Sequence, residues 1–507
     1  MGFIRKWRTE IIFALLIAVA YFLSRIVLLG NLPIFTDEAI YTRWAQIALN
    51  DPQWRFISLT DGKQPMFVWL AMIFMKFIED PLVAARLVSV ASGFFTLVGL
   101  WFLTLELFKS RKVAFISSLL YVVYPFAVVL DRMALYDSMV ATFFVWALYF
   151  SVLLVRRIRL DIAYTLSLII AGGMLTKTAN FFSIYLLPFL LILFNFRKKN
   201  WQFDLRRFVL FAAFSAGIAF FLYNVLRLSP FFHIIDQKNA VFVYPFSEWI
   251  KQPFTFFPGN LSGLLNWLYE YLKIPVIVLI LISLVKYKEF TREKLLLLVY
   301  FSAPFIALAL FGRLVYPRYI FFMSLMLLPL ASLGLTYLVD YVIKKYKVSK
   351  NLAFYLITAL FIAYPAFVSW QFIFDPVNAR IATADNRQYV NGWPVGWGVR
   401  ESVEFFRNEA KNEKIYVATA GTFGLLPAAL EIYLVENKNI EIKGHWPVDV
   451  LPKELLQKAE DMPTFLITYQ KENLNLDDNP NLNLVFQIRQ GNTDFFYKVF
   501  RVEPCNF

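Results

Sequence analysis

Residues 11–29, IIFALLIAVAYFLSRIVLL, decide the fold class. The run matches the roughly 20 apolar residues that a helix needs to cross a bilayer core. It has counterparts along the first 375 residues, LVSVASGFFTLVGLWFLTLELF at 87–108 among them. Composition agrees: 59% of the chain is hydrophobic and 17% charged, against about 45–50% and about 25% in soluble globular domains. The 55 Phe and 26 Tyr suit lipid-facing surfaces and interfacial belts. The preceding GFIRKWRTE leads into the first run without a small-residue cleavage site, so a retained helix is expected rather than a removed signal peptide.

The net charge of +14 raises the question of nucleic acid, and its distribution answers it. Residues 376–507 carry a slight acidic excess, so the positive balance lies in residues 1–375. There it sits in short clusters between apolar runs, which is topology information rather than a nucleic-acid footprint. Arg5, Lys6 and Arg8 keep the N-terminus inside. Spans then follow near 10–29, 83–108, 113–130, 138–155, 160–175, 179–196, 205–228, 266–285, 295–312, 319–340 and 351–373. The basic turns Lys109–Lys112, Arg156–Arg159, Arg197–Lys199, Lys286–Lys294 and Lys344–Lys347 all land inside. Residues 30–82, 131–137 and 229–265 become outer loops. PMFVWLAMIFMKFI at 65–78 is too short to span and reads as an interfacial helix. If it crossed, several basic turns would face outward.

The expected architecture is an α-helical polytopic membrane protein of about 11 transmembrane helices, residues 1–374, followed by a soluble α/β domain at 375–507. In that domain EKIYVATAG, NIEIKG, PTFLITYQ, LVFQIRQ and FFYKVFRV have strand character. GLLPAALEIYLV and KELLQKAEDM read as helices, and ENLNLDDNPNLN as a polar loop. The eleven-span threading places this domain outside the cytoplasm and the N-terminus within it. Cys505 is the only cysteine, which excludes an intrachain disulfide and a cysteine-rich metal site. His233 and His445 are far apart, so no histidine metal site is expected, and no pattern calls for a cofactor or a divalent cation.

Polar residues at the outer boundary are the candidates for chemistry. Asp37 and Glu38, in FTDEAIY at 35–41, are adjacent carboxylates that suit a base or a metal ligand. The alternative is a solvated helix cap by Thr36 or Asp37. DRMALYD at 131–137 holds Asp131, Arg132 and Asp137 near the membrane plane, where a structural Arg132 salt bridge is the plain alternative. Lys63, in DGKQP at 61–65, sits at headgroup depth, where an ammonium meets a lipid phosphate or simply snorkels. Lys177, Arg313 and Arg318 are outer cations that break the inside bias and suit an anion held near the outer leaflet or headgroup anchoring. His233 and Lys238 fall in the loop 229–265 and suit loop structure.

Together these features resemble the GT-C superfamily of polyprenyl-phosphate-sugar-dependent glycosyltransferases, most of all the protein O-mannosyltransferase and aminoarabinose transferase group, glycosyltransferase family 39. The likeness rests on TDEAIY, GKQP, ARLVSVASGFFTL, DRMALYDSMVATFF, GGMLTKTANF and PRYIFFMSLMLLPL, in that order along the membrane part. Gln64 departs from a second proline common in relatives. The resemblance implies that Asp37 is the catalytic acid of the first loop, Glu38 its partner and Asp137 the acid of the second outer loop. It implies that Lys63 meets the lipid phosphate and that Arg318 belongs to an Arg-Tyr motif with Tyr319. Lys177 joins them as a further cation, with Arg132, Tyr41 and Tyr319 supporting. The implied partners are the bilayer, a polyprenyl-phosphate sugar and an acceptor protein, lipid or glycan, with no nucleic acid. The implied place is the inner or plasma membrane.

Two other functions remain open to the sequence. A transporter or flippase would use intramembrane acids near the midplane, but here the ionisable residues gather at the outer interface and no paired halves appear. An assembly protein would use the α/β domain to bind a partner. The threading itself is testable. In a Cys505→Ser background, Lys288→Cys should resist an impermeant thiol reagent applied to intact cells, and cysteines placed in 376–507 should react. Labelling at position 288 would sink the eleven-span arrangement.

Overall fold

The computed structural model describes residues 8–286, 288–469, 476 and 479–504. Arg5, Lys6, Cys505 and half of the 472–483 loop lie outside them. Among the described residues eight helices are long and apolar enough to cross a membrane: Glu10–Asn31, Pro81–Phe108, Asp137–Arg157, Trp201–Leu228, Phe257–Val285, Thr291–Phe311, Leu327–Tyr346 and Lys350–Phe374. A bent pair, Arg111–Val123 and Pro125–Asp131, turns by 61° at its break and brings the number to nine when counted as one span. The bend follows from Pro125, which pushes Tyr124 out of the α region into an extended conformation. Leu160–Met174 and Thr178–Ile192 are shorter apolar helices at the two remaining expected positions. The chain is an integral membrane protein. The interfacial stretch forms a nine-residue helix, Met66–Phe74.

The chain divides into two compact units. The first comprises Met1–Val27, Phe56–Phe67 and Val88–Ile373. Its helices pack through small residues and aromatic stacks. A Cβ on Gly334 would lie 1.8 Å from the Leu279 carbonyl oxygen, so only glycine lets helix Leu327–Tyr346 approach Phe257–Val285 so closely. Phe126 and Tyr271 stack at 3.9 Å.

Helix ends within this unit set a harder problem, because in hydrocarbon no water satisfies the last carbonyls. Two arginines solve it reciprocally. Arg25, fully buried near the end of the first span, donates to the Val122 carbonyl at 2.6 Å and the Tyr121 carbonyl at 3.3 Å, where the bent pair breaks. Its Nε also meets Asp131 at 3.3 Å, and Asp131 accepts from Ser138 at 2.7 Å and Tyr121 at 3.1 Å. Arg132 in turn donates to the carbonyls of Ser24, Arg25 and Val27 at the end of the first span. The partner of Asp131 is therefore Arg25, and Arg132 serves as a carbonyl cap.

The second unit comprises Leu28–Arg55, Val68–Leu87 and Phe374–Phe507. Composition alone assigns the first two segments to the membrane part, whereas their contacts lie with the C-terminal residues. The reason is a strand pair no periodicity announces: β1 (Ile34–Phe35) runs antiparallel to β2 (Val395–Gly396). The main sheet contains β3 (Ile415–Ala420), β4 (Ile440–His445), β5 (Thr464–Thr468), β6 (Leu482–Arg489) and β7 (Phe496–Val502), in the order β4-β3-β5-β7-β6. β4, β3 and β5 are parallel, β7 pairs antiparallel with β5, and β6 pairs antiparallel with β7. β3 and β5 are buried along their whole length, as central strands covered on both faces should be. Helices Val399–Glu409 and Ala428–Leu434 cover one face through Phe406 and Leu430. Helix Lys453–Asp461 covers the other through Leu455.

Candidate functional site

Asp37 and Glu38 open helix Thr36–Asn50 in the second unit. The expected cap by Thr36 or Asp37 is not the arrangement found. Phe35 is the N-cap, and its backbone N–H donates to Glu38 at 3.0 Å, a carboxylate reaching back from the third helical position. The Glu38 carboxylate is fully buried and takes a bidentate pair of bonds from Arg86 Nε and Nη2, both 2.8 Å. Arg86 spends its remaining donors on the carbonyls of Leu29, Leu32 and Pro33 at 2.8, 3.1 and 3.0 Å. One guanidinium thus fixes the chain from residue 29 to the first turn of the helix.

Asp37 follows on that same turn and is half-buried, pointing about 100° around the helix axis from Glu38. Thr36 anchors the turn from the other direction, its N–H and Oγ1 donating to the Pro394 carbonyl at 3.1 and 2.9 Å. Further along, Tyr41 is buried against Trp44 at 5.6 Å. Arg43 pairs with Glu431 at 2.9 Å, and Gln46 donates to the Ile432 carbonyl. Tyr433 donates to Asp80 at 3.4 Å, and burial, with that carboxylate beside it, raises its phenol above the ordinary range. The C-terminal domain and the Asp37 helix are one packed body.

The first unit gathers the other candidates. Asp137 starts helix Asp137–Arg157 and pairs with Lys177 at 2.9 Å. Lys177 lies 4.8 Å from the Tyr319 ring, and the Arg318 guanidinium lies 5.9 Å from it. Tyr319 meets Phe242 edge-on at 6.3 Å, and Lys63 lies 5.1 Å from that Phe242 ring. Lys63, Lys177 and Arg318 are therefore joined through two aromatic rings, with Asp137 at one end.

Helix Ile234–Phe242 holds this cluster together. Its Lys238 pairs with Asp61 at 2.5 Å, and its Asn239 accepts from Thr178, which accepts from Gln64. Gly62 sits at φ 66°, and a Cβ there would lie 2.5 Å from Lys238 Cβ, so the turn requires glycine. Gln64, the departure from a second proline, earns a hydrogen bond that proline could not make. Arg313 instead pairs with the exposed Glu248 and covers Tyr244 at 4.5 Å. His233 is exposed and faces only the nearby Pro230 carbonyl among the bonds described.

Arg86, Arg25 and Phe242 are the residues that sequence reasoning passed over. A signal existed for both arginines, since a lone cation inside an apolar run is rarely without a partner. No such signal marks Phe242. Among the described residues no group of three or more His, Cys, Asp or Glu side chains could hold a metal ion.

Residues 62–227 match the model of a family described as dolichyl-phosphate-mannose-protein mannosyltransferase. That window holds Lys63, Arg86, Asp137 and Lys177. No curated protein matches the chain in sequence. Among solved structures, ArnT from Cupriavidus metallidurans in the apo state is similar at a TM-score of 0.56 and 15% identity, over 97% of this chain and 97% of that one. Its undecaprenyl-phosphate-bound form gives 0.55 and 15%, over 98% of each. The oligosaccharyltransferase AglB from Archaeoglobus fulgidus gives 0.55 and 15%, over 92% of this chain and 70% of that one. The fold is that of the GT-C glycosyltransferases. At this identity the likeness is one of architecture, and the expectation of a GT-C membrane part with a C-terminal α/β domain holds.

Within this chain the Arg86–Glu38 pair is the contact whose loss is most readily measured. Arg86→Met strands a buried carboxylate and should lower stability by about 3–5 kcal/mol. Glu38→Leu combined with Arg86→Met should recover part of this, because the carbonyls of Leu29, Leu32 and Pro33 stay unsatisfied. Thermal unfolding in detergent reads both, and a wild-type midpoint for Arg86→Met would refute the role.

Proposed function

We propose that the chain is a membrane glycosyltransferase that moves a sugar from a polyprenyl-phosphate donor to an acceptor hydroxyl at the outer face of the membrane, with inversion. The observation that carries the reading is the convergence of Lys63, Lys177 and Arg318 on Phe242 and Tyr319 in the membrane unit. Three cations gathered on aromatic rings suit a phosphate that must stay at the lipid boundary. The likeness to ArnT, whose structure is known with undecaprenyl phosphate, supports the donor class. The match to the mannosyltransferase family model supports sugar transfer.

In this mechanism Asp37 takes the proton from the acceptor hydroxyl as its oxygen attacks the anomeric carbon. The bond from that carbon to the phosphate oxygen breaks on the opposite side, so the configuration inverts. Lys63, Lys177 and Arg318 stabilise the polyprenyl phosphate as it leaves with the bonding electrons. Asp137 holds Lys177 in place, and Glu38, neutralised by Arg86, fixes the turn that presents Asp37. The N-terminus is cytoplasmic and the C-terminal domain extracytoplasmic in this reading.

Two measurements test it, both using purified protein and labelled polyprenyl-phosphate sugars. Asp37→Asn keeps the shape of the side chain and removes the proton acceptor, so transfer should fall by about 10²–10⁴-fold while the protein stays folded. Near-normal turnover in that variant would discard the base. Lys63→Gln should weaken polyprenyl-phosphate binding in nanodiscs by about 1.5–3 kcal/mol. Lys63→Arg should fall between it and wild type, because a planar fork replaces a compact ammonium poorly. Exposed Lys76 is the control, and equal losses for Lys63→Gln and Lys76→Gln would reduce Lys63 to an anchor.

A further inference from the structure

We infer that the carboxyl edge of the parallel strands in the second unit is a carbohydrate-binding subsite for an oligosaccharide acceptor, an inference that rests on Asp37 being the base of a sugar transfer. β3 and β4 are parallel neighbours that end at Ala420 and His445. From β3 the chain passes to helix Ala428–Leu434, which packs on the face carrying Val417 and Phe465. From β4 it passes to helix Lys453–Asp461, on the opposite face with Ala418 and Leu466. Where adjacent parallel strands send their connections to opposite faces, a crevice opens outside their carboxyl ends, and open α/β sheets bind ligands there.

The two loops that leave these carboxyl ends are joined by a bond from the Gly421 N–H to the His445 carbonyl at 2.8 Å. Each presents a large exposed aromatic ring, Phe423 at 61% and Trp446 at 59%. The first loop also reaches the Asp37 helix, since a Cβ on Gly424 would lie 3.8 Å from Thr36 Cγ2. Thr36 is held by the Pro394 carbonyl as well, and the residue before that proline, Trp393, is 48% exposed. Segments bearing exposed Trp393 and Phe423 therefore meet at the residue next to Asp37, with Trp446 one loop further on.

These rings stand on anchored backbone, because Leu425, Leu426 and Val395 beside them are fully buried. The neighbours in sequence are polar or small: Asn391 and Gly392 before Trp393, Thr422 and Gly424 around Phe423. Separate flat apolar faces with polar rims match pyranose rings, whose C–H faces stack while their hydroxyls reach the rim. A lipid surface would call for one continuous apolar patch. Three rings on three segments suit several sugar units in a row rather than one.

The test presents the full chain in nanodiscs with maltopentaose, cellopentaose, mannopentaose and chitopentaose, and reads saturation-transfer NMR. Transfer to ring C–H protons of at least one pentasaccharide is expected. Its affinity should drop about ten-fold or more in Trp393→Ala/Phe423→Ala and return in Trp393→Phe/Phe423→Trp, which keeps aromatic faces. Silence from all four sugars, or an unchanged signal in the alanine variant, overturns the subsite. So does fluorescence quenching by brominated lipid that disappears in Trp393→Phe, which would make this surface a bilayer contact. Asp37→Asn is read for transfer alone: if it transfers sugar normally while the wild-type pentasaccharide signal and its loss in the alanine variant hold, the base assignment fails and the subsite stands.

Discussion

Arg86 and Glu38 exchange two charge-assisted hydrogen bonds at a position closed to solvent, and the geometry around Asp37 descends from that pair. A buried ion pair seldom adds stability over a well-packed apolar alternative. What it adds here is definition. The guanidinium has five donors in a fixed fork and places all of them, two on one carboxylate and the rest on the carbonyls of Leu29, Leu32 and Pro33. Without that cation the loop from Leu29 to Pro33 would have to solvate its own carbonyls, and the turn bearing Asp37 would lose its reference point.

The same chemistry recurs inside the membrane unit. Pro125 breaks a crossing and strands carbonyls in a region without water, and Arg25 satisfies them while neutralising Asp131. Arg132 repeats the solution for the end of the first span. Ionisable residues in the membrane part thus divide by task. Arg25, Arg132 and Asp131 close helix ends. Lys63, Lys177 and Arg318 gather on aromatic rings at a shared locus, and Asp137 bridges the two tasks by starting a helix while holding Lys177.

Much of this was legible beforehand, and the reasons are specific. The apolar runs marked the crossings because a bilayer permits few alternatives, and the strands of the C-terminal domain appeared through their β-branched and aromatic content. Lys177, Arg313 and Arg318 stood out as cations against the inside bias, and Lys63 by its headgroup depth, although Arg313 pairs elsewhere. The pairings did not show. Nothing in PVG at 394–396 advertises a strand for Ile34 and Phe35, since two residues have no measurable periodicity and the partner lies far along the chain. DRMALYD invited an internal salt bridge, but local spacing says nothing about Arg25, which arrives from a different helix. Thr36 looked like a cap by composition, whereas the bidentate Arg86 contact made Glu38 the better closure.

The β1–β2 pair has a consequence for how the protein comes into being. Ile34 must wait for Gly396 before its edge is covered, so the turn bearing Asp37 stays unfinished while most of the membrane helices are made and inserted. A contact of such sequence separation forms late and slowly. A chain released early would carry its crossings without a completed turn at Asp37. The architecture thereby links the shape of an early turn to the arrival of a segment made some 360 residues later.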